Sequence, residues 1–538
     1  VGAALDAAIA AVSPAWGAQR LYAREMLRAY DAAKVGRRHD FPAPQTSANA
    51  EIGPALDRVR ARARELARNS VWGAQIKRRL ANNIVGSGIV PRIPPHLAAK
   101  RVRRAVMDDW ARFCDACDPE GLTDFYGLQH LVASTMVEAG EALTLPLVRP
   151  SSWNLAIPLQ VLVLEPDHLD TARTEITGGG FRLQGIEFDA WGRRRAYALF
   201  DEHPGDTALV NFGASYRSRL VPAEAVCHVF DRTRPGQVRG MPWMHPVVGR
   251  IRDLEDVEDA RRMREKVAAC FAVFVRRNTA GAPPLSQGGA VRSATDERGR
   301  RIEAIAPGMI QYLGADEEAN FPSLPSNDGG VEYLKYGLYG VAAGVGFTYE
   351  QLTGDVSQVN YTSHKVGRAE FNLGLDHWQY HVLVPQLCAP VWAQFQRVRR
   401  ILGRPGANLP AEWAVPARPT ADPKKDADAA RIDMRIGRRT WRQVVGEMGY
   451  DPDEQIDEIA ETNAAFDRAG IILDGDPRMV DGAGGPRDRV APPGADQPGS
   501  KEGRSKEDEG EEDGDEAADT AGSGAAADDD TGRDTAAD

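Results

Sequence analysis

The sequence predicts an α+β fold, with helices and strands gathered in separate blocks along the chain. Three observations carry this. Runs with helical spacing open and close the chain. Short segments rich in branched residues and bounded by proline fill much of the stretch from Glu141 to Phe230. Between them and the C-terminal helices lies an unbroken helical pattern from His245 to Arg277.

The first element is the run PALDRVRARARELARN. Leu56, Val59, Ala63 and Leu66 recur at helical spacing, Pro54 suits a first turn, and arginines cover the remaining surface. A second helix carries Ile76, Leu80 and Ile84. A third starts at Asp124, a good N-cap, and runs through Leu128, Leu131, Val132 and Met136. EALTLPLV and PLQVLVLEP then read as strands, GIEFDAWGRRRAYALF as a hairpin turning at DAWG, and RLVPAEAVCHVF as a further strand-rich stretch.

From His245 to Arg277 the spacing of Val247, Ile251, Leu254 and Val257, then Met263, Val267, Phe271 and Phe274, predicts one helix of about 50 Å. Its first half is acidic and its second basic, which suits the helix dipole. A stripe this long needs neighbours, so Val267, Phe271 and Phe274 are candidate packing residues. A Gly/Pro-rich insert follows, then a strand in GMIQYLGA and a helix from about Val331 to Val345. The polar stretch TYEQLTGDVSQVNYTS reads as a loop. A long helix begins near Ser363, with Val366, Phe371, Leu375, Trp378 and Val382 on its buried face, and Pro385 should kink it. Helices opening at Thr440 and after Asp451-Pro452 close the folded part.

Composition excludes several classes. No run reaches the roughly 18 apolar residues of a membrane span. The Ala-rich start lacks a basic opening, so no secretory signal is expected. The net charge of −11 belongs to the end of the chain: residues 501–538 hold 15 acidic and 4 basic residues, leaving 62 of each sign before them. That tail has almost nothing to bury and is expected to be disordered. Five cysteines give no disulfide framework. Cys114 and Cys117 form a lone C-x-x-C, read as small residues near a helix end. His377 and His381 sit one turn apart but lack the further ligands of a metal site. There is no Gly-Lys dipeptide and hence no P-loop; G-x-S-x-G and H-E-x-x-H are also missing. No enzyme, metal site or cofactor is expected.

Several passages together resemble one family. RARELARNSVWGAQIKRRLANNIVGSGIVPR is similar to the N-terminal signature of lambda-family phage portal proteins. LEPDHLDT, GIEFDAWGRRRAYALF and RTRPGQVRGMPWMHPV follow in the family's order, and LTGDVSQVNYTSHKVGRAEF resembles its loop entering a helix. The similarity runs from about Tyr22 to Gly470. It implies a portal fold with α/β wing, long-helix stem, small α/β clip and helical crown, followed by the disordered acidic tail. The expected division is an N-terminal arm at 1–19, wing 20–244, stem helix 245–277, clip 278–330, second stem helix 331–347, tunnel loop 348–363, kinked helix and return to the wing 364–419, crown 420–470 and tail 471–538.

The resemblance implies a homododecameric ring at one vertex of the virion, assembled in the bacterial cytoplasm. Double-stranded DNA would pass through it without sequence specificity. Implied partners are the terminase large subunit, head-completion and tail adaptor proteins, and the major capsid or scaffold protein. Gln351, Gly354, Gln358, Asn360, Tyr361, Thr362 and Ser363 would face the DNA. Their neutral side chains, with no Lys or Arg among them, suit a duplex that must slide rather than be gripped. The alternative is another head–tail junction or minor capsid protein with no channel role; the long stem helix and clip insert favour the portal.

Overall fold

The computed structural model describes residues 45–206, 217–270, 273–276, 294–295, 301–302, 310–313, 330–357, 359, 361–418 and 422–471, with residues 13 and 16 besides. Most of the expected N-terminal arm, acidic tail and clip, with Phe271, Gln358 and Asn360, thus lie outside the described residues. The chain divides into two compact units, Val1–Ile456 and Asp457–Asp538. The second is described only through the end of one helix.

Helix α1 (Ala48–Asn69) is capped by Ser47, whose hydroxyl accepts from Ala50 N. The cap sets the start, so Pro54 lies inside the helix rather than in its first turn. Helix α2 (Val71–Val85) buries Ile76, Leu80 and Ile84 as expected. After the short strand β1 (Val90–Arg92), α3 (Lys100–Ala116) turns Val106, Trp110 and Phe113 inward. Asp124 caps α4 (Phe125–Ala139), and Gly140 ends it at φ 90°. A Cβ at Gly140 would lie 2.3 Å from the Met241 carbonyl carbon, so the chain passes too close for any side chain there.

Strands β2 (Glu141–Val148) and β3 (Leu159–Leu164) pair antiparallel, with β9 (Cys227–Phe230) on the other edge of β2. The first five residues of β2 are all buried, which explains why EALTL shows no polar alternation. A five-stranded antiparallel sheet lies between β3 and β9 in sequence: β4 (Glu175–Thr177), β5 (Gly180–Leu183), β6 (Ile186–Asp189), β7 (Arg194–Leu199) and β8 (Arg219–Pro222). The predicted hairpin is β6–β7. Asp189 closes its turn by accepting from the N–H groups of Trp191 and Arg193.

Helix α5 (Val248–Cys270) ends earlier than the spacing predicts. Val273–Arg276 form strand β10, paired in parallel with β13 (Ile310–Leu313); β11 (Ala294–Thr295) and β12 (Arg301–Ile302) make a second small pair. This corrects the expected stem helix 245–277. The sequence FAVFVR is rich in aromatic and β-branched residues, and a partner strand makes the extended state available to them. Phe274 therefore sits on a strand rather than on the helix. The side chains of Val267 and Phe274 lie outside the described set.

Helix α6 (Gly330–Gly344) leads into the one-and-a-half-turn helix α7 (Tyr349–Thr353) and then α8 (Tyr361–Asp376). His377–Cys388 continue as a π-helix around Pro385 before α9 (Ala389–Ile401). Ala389 N reaches back to Val384 O, the wider i→i−5 bond. The widening answers the missing N–H of Pro385 and the clash its ring would cause. Phe371, Leu375 and Val382 are buried as expected, but Val366 is 64% exposed. Strand β14 (Glu412–Ala414) returns to pair with β1. The remaining helices are α10 (Pro423–Arg435), α11 (Trp441–Glu447), with a capping box from Thr440 and Gln443, and α12 (Pro452–Ala469). Asp453 holds Arg103 of α3 at 2.9 Å and Arg442 of α11 at 2.7 Å.

Two cores result. The larger gathers residues of every helix from α1 to α9, with Ile251 and Leu254 of α5 and Leu338, Val341 and Ala342 of α6 among them. At its centre the Trp110 ring lies 5.0–5.3 Å from Phe113, Phe125, Trp392 and Phe395. Rings packed this way contribute about 0.5–1.5 kcal/mol per pair beyond their burial. The smaller core joins Leu143 and Leu145 of β2 to Ile186, Tyr197, Leu199 and Val221 of the five-stranded sheet. β2 thus serves both cores, one from each face, since Ala142 belongs to the larger.

Candidate functional site

The helix pair α5–α6 is held by a seven-residue glycine repeat that the sequence reading overlooked. A Cβ at Gly344 would lie 2.4 Å from Val247 Cγ1. One at Gly337 would lie 2.3 Å from Leu254 Cδ2, and one at Gly330 2.0 Å from Arg261 Nη2. The positions rise by seven on α6 while their partners fall by seven from Arg261 and Leu254 of α5 to Val247 just before it, so the helices run antiparallel in fixed register. The signal was the spacing of Gly330, Gly337 and Gly344 itself. The opposite side of α6 is only lightly covered among the described residues: Val331, Tyr333, Tyr336 and Tyr339 are 53–70% exposed, as is Met263 on α5 at 62%, with Tyr349 beside Tyr339 and Arg250 over Tyr336.

The stretch after α6, expected as a polar loop from 348 to 363, is in part helical. Thr348 and Gln351 form a capping box: Thr348 Oγ1 accepts from Gln351 N, and Gln351 Oε1 accepts from Thr348 N at 2.9 Å. The Gln351 carboxamide oxygen is thereby engaged within the chain. Leu352 is fully buried and Gly354, at φ 79°, ends the turn. Arg79 of α2 donates to Gln351 O at 2.5 Å. Asp355 accepts from Ser357 N at 3.0 Å, and the Ser357 hydrogen bonds hold its carboxyl below the usual value. Tyr361, Thr362 and Ser363 begin α8 rather than ending a loop. The side chains of Tyr361 and Thr362 lie outside the described set; Ser363 is exposed. The segment itself carries no cation, but folding brings Arg79 against it and Lys335 close enough to act on Asp355.

A second cluster was not legible in the sequence. Glu141, at the start of β2, is buried together with Arg60, His228 and Arg239. Its carboxylate accepts from Arg60 Nη2 at 3.0 Å, Arg239 Nε at 2.8 Å, Gly240 N at 2.8 Å and His228 Nε2 at 2.9 Å. Burial alone would raise the Glu141 pKa; Arg239 and then His228 overcome it and hold the carboxyl well below its usual range. His228 Nδ1 takes a hydrogen bond from Arg194 Nη1 at 2.9 Å, so the ring is neutral with its proton on Nε2. Burial brings the His228 pKa down to about 4, against the pull of Glu141. The cluster joins α1, β2, β7, β9 and the segment that leads into α5. Arg60 and Arg239 sit in runs rich in arginine, and nothing in their spacing marks them as buried.

Other titratable groups are accounted for by the fold. Glu165, Asp167 and His203 come close enough together to hold a cation. Arg64 already lies between the two carboxylates, so a cation would meet a guanidinium in its place. Cys114 ends in the buried face of α3 and Cys117 just beyond it. Burial pushes both thiols up, Cys117 to about 12. His377 lies 3.3 Å from Asp231, and its ring is 5.7 Å from that of His381.

Comparison with known proteins identifies the family. The family model described as phage portal protein, lambda family, matches residues 34–379. A probable portal protein of Halomonas phage phiHAP-1 is 26% identical over 438 residues, which cover 77% of this chain and 81% of that protein. Portal protein B of Escherichia phage lambda is 21% identical, over 80% of this chain and 88% of its own. Among solved structures, a chain in the virion of a native gene transfer agent particle shares 13% identity with a TM-score of 0.38, covering 79% of this chain and 99% of that one. The family match spans most of the described body, including the glycine-paired helices and the Glu141 cluster, and the chain belongs to the lambda family of phage portal proteins.

Proposed function

We propose that copies of this chain form a closed homododecameric ring at a capsid vertex, with α5 and α6 as its stem and an axial channel for double-stranded DNA. The observation that carries this is the aromatic stripe of α6, largely exposed among the described residues. Val331, Tyr333, Tyr336 and Tyr339 stand exposed beside an already packed helix pair, and such a face calls for a neighbour. Identical neighbours placed side by side meet that need all round a ring.

The segment 348–363 would face the channel, with Val356, 65% exposed, among its outermost side chains. The stretch between α5 and α6 would form the clip that meets the terminase large subunit and later the head-completion and tail adaptor proteins. Residues 20–244 would form the wing against the major capsid or scaffold protein, and 420–470 the crown. The chain would act by position and not by catalysis, assembling in the host cytoplasm and ending in the virion. Electron microscopy of the purified chain tests this directly. A ring with a central hole is expected, and a uniform population of monomers or of closed particles without a hole would refute it.

A further inference from the structure

We infer that Trp191 is an anchor by which one copy of the chain holds the next, seated in the groove beside Trp243 and Trp378. The inference rests on the ring reading above and names one of its contacts.

Trp191 stands at the tip of the β6–β7 hairpin and is 86% exposed. It is held rigidly there. Asp189 accepts from Trp191 N at 2.9 Å and from Arg193 N at 2.8 Å, and Gly192 takes the φ of 79° that closes the turn. An exposed indole on a fixed turn has little freedom to lose on docking, which is the character of an interface hot spot.

The groove is a cavity of about 460 Å³ lined by Ile52, Met241, Trp243, Val345 and Trp378. The two indoles pack at 4.6 Å and form an apolar wall for a third ring. One charge on the hairpin is left to meet the groove's acids. Glu51 and Asp231 line the groove together with Arg234 and His245, while beside Trp191 Arg193 is held by Asp189 at 2.9 Å and Arg195 is exposed with no hydrogen bond or ion pair among the described residues. Both acids already hold a partner, Arg234 and His377, but a carboxylate has lone pairs for more than one donor.

The groove must belong to another copy. Gln184, in the β5–β6 turn, donates to Asn49 O beside the chain's own groove. The β6–β7 turn is at the other end of β6, about 13 Å of strand away. A knob and a groove at different places on one chain make a head-to-tail contact, the kind that closes into a ring.

The test uses the purified full chain and follows assembly by native mass spectrometry and sedimentation. Trp191→Ala should fold with an unchanged melting temperature, since the side chain is exposed. It should raise the concentration needed for half-assembly by about thirty-fold or more, the effect of losing a central hot spot. Trp191→Cys combined with Met241→Cys should give covalent oligomers on oxidation. Cys114, Cys117, Cys227 and Cys388 are buried and should not compete; the fifth, Cys270, is replaced by Ser in the same chain and in its control without the two new cysteines. If Trp191→Ala assembles like the wild type, or the double variant gives no covalent oligomers from assembled rings, the inference fails and the ring reading stands. If the wild type stays monomeric at every concentration, the ring reading fails, and the inference with it.

Discussion

Around Glu141, segments from four parts of the chain meet through charge; along α5 and α6, two helices meet through missing side chains. The first junction takes ions out of water and pairs them with each other, all but Arg239 Nη1, so losing a partner would be costly. The second depends on glycine at Gly337 and Gly344, where a Cβ would press on Leu254 and Val247, and it lets the helices approach without fixing their other faces. The difference fits the places they occupy. The Glu141 cluster lies within the buried body, where α1, β2 and β9 must hold one arrangement. The helix pair leaves an aromatic face open, on which a neighbour can pack. Specific charge thus locks the inside of the subunit, while close helix contact leaves the outside available.

The comparison can be broken most severely at Glu141. Glu141→Ala would leave Arg60 and Arg239 buried without their shared acceptor. A loss of about 3–5 kcal/mol is expected, read from denaturant unfolding of the purified chain. A loss under about 1 kcal/mol would show that the cluster is relieved by solvent and is no lock.

Acid should act on the same junction. The His228 pKa falls from 6.5 in the unfolded chain to about 4 in the folded one, so between these values only the unfolded state is protonated. Its contribution is therefore complete above pH 6.5 and fades as the pH falls toward 4. The depressed pKa of Glu141 acts in the same sense at still lower pH, below its usual value of 4.5. A fall of about 3 kcal/mol across the His228 window is expected. His228→Gln should be less stable overall but nearly flat over that range. An equal slope in wild type and variant would assign the acid sensitivity elsewhere.

At the helix pair, Gly337→Leu must displace Leu254, and overpacking of this kind costs about 1–3 kcal/mol. The loss should appear as assembly defects at lower temperature than the unfolding of the body. Coincident transitions would mean that the pair and the body are one cooperative unit.

The smallest change in stability is expected at Val356→Lys, within about 0.5 kcal/mol, because the side chain is exposed. Its effect should appear in DNA passage instead. One added cation per copy should steepen the salt dependence of packaging, slowing it at low salt and sparing it at high salt. Packaging rates that match the wild type at every salt concentration would turn this segment away from the duplex.

Much of the architecture was legible in the residues. Asp124 and Thr440 cap helices where their side chains and following residues required it, DAWG turns a hairpin, and Ile76, Leu80 and Ile84 line one helix face. These are local matters of spacing, capping and turn chemistry, and the sequence by itself determined them, together with the absence of a P-loop and the concentration of acid at the chain's end. Where a distant partner chose between two local options, only the tertiary structure decided. Phe274 joins a strand because Ile310–Leu313 lies beside it, and Gln351 closes a cap that Arg79 supports from α2. Arg60 and Arg239 are buried, while other arginines of the same runs stay at the surface, because Glu141 lies hidden between them. The energy of a buried charge depends on what surrounds it in space, and spacing along one segment cannot report a partner some 80 residues away.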